Sequence, residues 1–434
     1  MLAAGCAVGL GNVWRFPFVV GQNGGAAFVL VYLLFLALFG FPVLLAELSV
    51  GRGGRSGIAG AFGRLGGRWW GRLGTVVFAG NLLLMVYYTD VAGWLVKFAG
   101  SYAFDGAPPD FGGLVADRAT CLKHMLVAVF IASTVCAVGV QKGVERVTKW
   151  MMLSLLALMC VLAAKSLTLE GAAKGLAFYL KPDWTPLLEN PGRVVFDAMG
   201  QAFFTLSIGV GAMTIFGSYI DRSESLVKES IWIILIDTFV AFTAGLVIFP
   251  ACATFGVDVA CGPGLIFAAL PKVFAAMNGG RVWGFVFFLF LSLAALTTVI
   301  AVFETILACA TDAFSWSRKK AGVAVGIALA VLSLPCILGF SAWSGFRPFG
   351  DGSSVLDLED FLVSNLLLPV GALGFIFYAT WRFGWGWRGF LAEANAGAGP
   401  KFPDALRWYC AIALPLIVLA VFVLGLVERF GGKG

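Results

Sequence analysis

The sequence predicts an all-α integral membrane protein, and three observations carry that prediction. Of 434 residues, 60% are hydrophobic and only 12% are charged, with a mean hydropathy of +0.93. A soluble chain carries about a quarter charged residues. Apolar runs long enough to cross about 30 Å of hydrocarbon recur between polar breaks. Two of those runs are interrupted by glycine at matching places in two successive sets of five.

The runs give eleven transmembrane spans: 1–21, 26–50, 73–100, 121–139, 147–166, 194–219, 229–255, 282–312, 321–341, 356–383 and 406–428, numbered 1 to 11 below. Basic clusters fall at Arg52–Arg72, Lys142–Lys149, Arg222–Lys228 and Arg318–Lys320, and again between spans 10 and 11. The excess of Lys and Arg in inner loops places the N-terminus in the cytoplasm and the C-terminus outside, in a multi-pass protein of the cell inner (plasma) membrane. The net charge of +6 is thereby spent on topology, and no nucleic acid is expected as a partner; the lipid bilayer is. Residues 1–166 form a first five-helix unit, 167–193 an outer loop, 194–383 a second five-helix unit, and 406–428 an eleventh helix. Segment 252–275, with Cys261-Gly262-Pro263-Gly264, reads as a short outer helix returning onto the protein.

Nine cysteines sit mostly inside apolar spans without a CxxC pair, as small buried hydrophobes do. His124 is the sole histidine, so a histidine metal cluster or a catalytic triad is excluded and no enzyme is expected.

Span 1 contains Gly9-Leu10-Gly11-Asn12 and span 6 contains Ser207-Ile208-Gly209-Val210-Gly211. Glycine inside a helix costs about 1 kcal/mol. Opened backbone at membrane depth persists only where protein covers it or it lines a cavity. Two broken helices at the same ordinal position in two halves point to a central transport site.

Several strings then carry a resemblance: GCAVGLGNVWRFPF at 5–18, NGGAAF at 23–28, FPVLLAELSVGR at 41–52, YYTDVAGW at 87–94, GQAFFTLSIGVG at 200–211, AALTTVIAVFE at 294–304 and LDLEDFLVSNLLLP at 356–369. Together they resemble the neurotransmitter:sodium symporter family, in its bacterial amino-acid transporter branch, over nearly the whole chain. The resemblance implies the leucine-transporter fold, with two inverted five-helix repeats and broken helices 1 and 6. It implies sodium-coupled symport of a neutral, hydrophobic or aromatic L-amino acid into the cell by alternating access. A non-transporting amino-acid sensor or a channel-like member of the same fold is the competing reading. Family members carry about fifteen further residues before the position of Met1, so helix 1 is expected to lack its innermost turns and a basic gate partner.

The resemblance also implies the site. The substrate carboxylate would meet the Leu10 and Gly11 N–H groups at a positive helix start and the Tyr88 hydroxyl. The ammonium would meet the carbonyls of Phe204 and Thr205 with Ser207, and Cys6 and Ala7 would also belong to the substrate site. Gly9 stands where carriers of biogenic amines have an aspartate, which points to a substrate that brings its own carboxylate. Leu84, Tyr88, Phe204, Val210, Thr298 and Val302 would line the side-chain pocket. Two Na+ are expected: the first on Ala7, Asn12, Thr205 and Asp237 with the substrate carboxylate, the second on Gly5, Val8, Ala294, Thr297 and Thr298. Arg15 and Asp360 match the outer gate, and Tyr219 and Asp312 the inner one, while Gln201 and Glu47 support the opened segments. No chloride requirement is expected, because Ala241 lacks the hydroxyl that chloride-dependent members place there and Asp237, one turn earlier, supplies a fixed anion.

Overall fold

The computed structural model describes residues 2–259 and 265–431, and every regular element among them is a helix. Among the described residues, nine helices are long and apolar enough to cross a membrane: Ala26–Gly54, Trp69–Asp105, Arg118–Val138, Gly143–Leu167, Leu226–Phe255, Gly280–Phe314, Arg318–Gly339, Val355–Thr380 and Asp404–Val427. They coincide with spans 2 to 5 and 7 to 11. The chain is therefore a multi-pass membrane protein.

Spans 1 and 6 are the two that are not continuous. Span 1 is helical over Leu2–Ala7, opens at Val8 and Gly9, and resumes as a π-helical turn over Gly11–Arg15 before Phe16–Gln22. Span 6 is helical over Pro191–Thr205 and again over Ala212–Tyr219. Between them Gly209 and Gly211 take φ of +96° and +70°, a left-handed region that L side chains avoid, and Ser207 takes +52°. A Cβ on Gly209 would also run into the Leu368 carbonyl of span 10.

Spans 3 and 8 pack together through the middle of the molecule, with 72% and 78% of their apolar windows buried, against 28% for span 11. Span 8 therefore reads as apolar all round, whereas span 11 turns Leu416, Leu419 and Leu424 outward as a lipid-facing helix does. The stretch 167–193 is more ordered than a loop: it holds helices Ala172–Leu180 and Thr185–Glu189. Tyr179 is buried there against Gly245 of span 7, whose missing side chain makes the room. The inner stretch after span 2 likewise contains a helix, Ile58–Gly66. The outer returning helix is present as Leu265–Ala276, with Phe267 stacked on Phe111 at 4.7 Å; Cys261-Gly262-Pro263-Gly264 lie outside the described residues.

Candidate functional site

The two interruptions face one another at mid-depth. Ser207 Oγ donates to the Cys6 carbonyl at 3.4 Å, and Gln201 Nε2 donates to the Gly11 carbonyl at 2.9 Å. Glu47 of span 2 accepts from the Gly209 N–H, so an acceptor is delivered to the opened part of span 6 from a neighbouring helix. These bonds satisfy backbone groups that the helix breaks release, as a dry interior demands.

A cavity lies between the breaks, lined by Ala7, Gly9, Gly11, Leu84, Tyr88, Phe204, Ser207, Val210, Thr298, Val363 and Leu368. Nine of the residues expected from the sequence are thus brought to one space. Gly9 is there for close approach: a Cβ on it would press on Thr298 Oγ1 and stand 2.8 Å from the Tyr88 hydroxyl. The Leu10 N–H donates to that hydroxyl at 2.9 Å, so two groups expected to share a carboxylate already touch.

Val302 departs from expectation. It is fully buried but does not line the cavity. One helical turn separates it from Thr298, about 6 Å along the axis, and Thr298 occupies the exposed position. Val363 and Leu368 of span 10 close the wall instead. Helical spacing from Asp360 (i+3 and i+8) was the available signal for both.

Polar clusters flank the cavity on two sides. In the first, Asn12 Nδ2 donates to Thr205 Oγ1 at 2.9 Å and to Asp237 Oδ1 at 2.7 Å, and Thr205 Oγ1 lies 3.0 Å from Asp237 Oδ2. The Asn12 amide oxygen accepts from the Gly9 N–H at 3.0 Å, tying this cluster to the break. All three side chains are buried. In the second, Thr297 Oγ1 meets the Ala294 carbonyl at 2.9 Å and the Val8 carbonyl at 3.4 Å, and Thr298 Oγ1 meets the Ala294 carbonyl at 3.4 Å. Gly5 lies one turn before Val8 with its Cα face packed on Thr148 of span 5. Both clusters offer neutral or anionic oxygen, the donor type a hard cation takes.

Above the cavity lies a second and larger one of about 1190 Å³, lined by Trp14, Arg15, Gln22, Asp357, Asp360 and Asn365 among others. Tyr88 and Phe204 line both and form the partition. Arg15 and Asp360 face this vestibule together but are not ion-paired. The Arg15 guanidinium sits over the Phe204 ring at 4.7 Å, while Asp360 Oδ1 accepts from Tyr87 at 3.0 Å and Ser364 at 2.8 Å. Each member of the expected gate is held by other partners on its own side.

On the inner side the two residues at gate positions have separate partners. Tyr219 and Asp312 do not meet. Tyr219 donates to Glu304 Oε1 at 2.8 Å, Glu304 pairs with Arg318, and Arg318 also donates to the Cys136 carbonyl at 2.9 Å. Asp312 Oδ2 instead accepts from the Gly57 N–H at 2.7 Å. Glu304 is fully buried, and its signal was present in the sequence: an acid inside an apolar run needs a partner.

Broken helices around a midplane cavity, with oxygen clusters against it, define the class: a secondary transporter of the inverted-repeat kind. The comparisons agree. The chain matches the Sodium:neurotransmitter symporter family over residues 1–105 and 115–430, and it belongs to that family. It is 35% identical to the uncharacterized sodium-dependent transporter YhdH of Bacillus subtilis (strain 168), covering 98% of this chain and 95% of the relative. An uncharacterized sodium-dependent transporter of Haemophilus influenzae is 31% identical, with the same two shares of 98% and 95%. The crystal structure of MhsT in complex with L-phenylalanine superposes with a TM-score of 0.89 at 36% identity, over 98% of this chain and 97% of that one. The fold is thus that of the leucine-transporter type, and the family is one of secondary sodium-coupled transporters.

Proposed function

We propose that the protein carries a neutral, hydrophobic or aromatic L-amino acid into the cell together with two sodium ions and without chloride, through eleven spans with the N-terminus inside and the C-terminus outside. The observation that carries this reading is the central cavity, which has Gly9 instead of an acid, apolar walls and an oxygen cluster on each flank. A zwitterion supplies one carboxylate and one ammonium. The Leu10 and Gly11 backbone with the Tyr88 hydroxyl would take the first, and carbonyls of Cys6, Ala7, Phe204 and Thr205 with Ser207 the second. A charged substrate side chain would lie among Leu84, Val210, Val363 and Leu368, where an unpaired charge costs several kcal/mol.

The first ion would use Ala7, Asn12, Thr205 and Asp237 with the substrate carboxylate, and the second Gly5, Val8, Ala294, Thr297 and Thr298. Because the carboxylate completes the first set, each ligand strengthens the other. Two sodium ions moving with a zwitterion carry two charges, worth roughly 4–5 kcal/mol at about 100 mV. The bound L-phenylalanine of MhsT supports an aromatic side chain as one that this fold admits.

Equilibrium binding of labelled L-phenylalanine to the purified protein, competed by each of the twenty amino acids in sodium and in potassium, tests the proposal. Displacement by large neutral amino acids in sodium alone is the expected outcome. Displacement by acidic or basic ones, or binding indifferent to sodium, would contradict it.

A further inference from the structure

A long apolar groove runs between spans 4 and 9 and shares no lining residue with the central cavity or the vestibule. On span 9 its lining positions are 319, 323, 326, 327 and 330, which recur on one helical face. The part-buried Ser133, Ala137 and Gly326 form its floor, and Phe130 and Ile327, 71% and 62% exposed, stand out beside them. Ser133 Oγ donates to the Gly322 carbonyl at 3.1 Å, which ties the two helices together. Arg318 donates to the Cys136 carbonyl at 2.9 Å, so Lys319 marks the end of the groove where span 4 finishes and span 9 begins. Lys319 and Ala330 lie eleven positions apart. That is about 16 Å along a helix, close to one leaflet of a hydrocarbon core about 30 Å thick.

Three consecutive cations stand at that end, and two of them are engaged. Arg318 pairs with Glu304, and Lys320 lies over the Trp316 ring at 4.8 Å. Lys319 is exposed and enters no ion pair among the described residues, and no acid among them lines the groove. An ammonium at the end of an apolar furrow complements a phosphate whose acyl chain follows the furrow. A zwitterionic headgroup brings its own amine, so it gains less from Lys319 than an anionic one does. A second copy of the chain fits less well. Gly322 and Gly326 have the small-xxx-small spacing of paired helices, yet a Cβ on either would stand 3.7 Å from Ser133 Oγ of the same chain. That spacing therefore serves the contact between spans 4 and 9. Two copies about a two-fold axis normal to the membrane would also set Lys319 against Lys319 at one depth.

We propose that this groove is a binding site for one anionic phospholipid, with its phosphate on the Lys319 ammonium and one acyl chain laid over Gly326 between Phe130 and Ile327. The lipid bridges spans 4 and 9 along the surface of the seam that Ser133 and Gly322 join. Its headgroup lies one residue from Arg318, which holds Glu304 and through it Tyr219. The site stands apart from the substrate and sodium assignments.

The test is native mass spectrometry of the purified protein, stripped of lipid and titrated with phosphatidylglycerol or with phosphatidylcholine of the same acyl chains. Wild type should hold its first phosphatidylglycerol several-fold more tightly than phosphatidylcholine. Lys319→Gln should remove that preference and Lys319→Arg should keep it. Gly326→Leu fills the furrow and leaves the charge, so it should weaken the binding of both lipids. Equal affinity for the two lipids in wild type, an undiminished preference in Lys319→Gln, or unaltered lipid binding in Gly326→Leu would overturn the site. So would a wild-type dimer that Gly326→Leu dissolves, since the groove would then belong to a second copy. Lys319 is exposed, so Lys319→Gln keeps the fold and decides the matter if Gly326→Leu does not fold.

Discussion

Asn12 and Asp237, 225 positions apart, are joined by a 2.7 Å hydrogen bond from the Asn12 amide to the Asp237 carboxylate. That bond ties the second half of a broken helix to the middle of span 7, and Thr205 of the other broken helix completes the triangle. An acid at this depth needs such donors, since transfer of an unpaired carboxylate from water costs many kcal/mol.

Asp237→Asn removes the anion and keeps the shape. Half-maximal sodium for uptake is expected to rise several-fold, or uptake to become sensitive to chloride. With wild type, replacing chloride by gluconate should leave uptake unchanged. A large loss in gluconate would show that Asp237 does not stand in for the anion.

Thr298→Val deletes a hydroxyl that faces both the Ala294 carbonyl and Gly9. Sodium dependence should shift several-fold to higher concentration, with little change in folding. Identical sodium curves for variant and wild type would remove Thr298 from the second ion site.

Gly9→Asp brings a side chain into the space between Thr298 Oγ1 and the Tyr88 hydroxyl and a charge where the substrate carboxylate would sit. Like charges at contact in a partly buried site cost several kcal/mol. Amino-acid binding should be abolished; native affinity in the variant would displace the site from the break in span 1.

Glu304→Gln breaks the pair between the buried Glu304 and the part-exposed Arg318 and weakens the bond from Tyr219. The inner side should open, read as faster labelling of a cysteine introduced near Tyr219. Unchanged labelling would confine Glu304 to holding spans 8 and 9 together.

Much of this was legible in residues. The helices follow from apolar length and the two breaks from glycine clusters: Gly209 and Gly211 of span 6 take a positive φ that other residues adopt at a cost, and Gly9 of span 1 allows close approach to Thr298 and Tyr88. Gly9, Asn12, Tyr88, Phe204 and Thr205 stand in strings specific enough to single them out. What the sequence hid is pairing. Nothing in one dimension distinguishes Arg15 facing Asp360 from Arg15 lying on Phe204, because both partners are within reach of a long side chain. Val302 and Thr298 share a helix face, and only the packing of span 10 decides which one meets the cavity.

The most direct measurement is accumulation of labelled L-phenylalanine in proteoliposomes under an inward sodium gradient, compared with an equal potassium gradient. Sodium should drive the internal concentration transiently above the external one, and collapse of the gradient should release the excess. Sodium-dependent binding without any accumulation would contradict transport and favour an amino-acid sensor of the same fold.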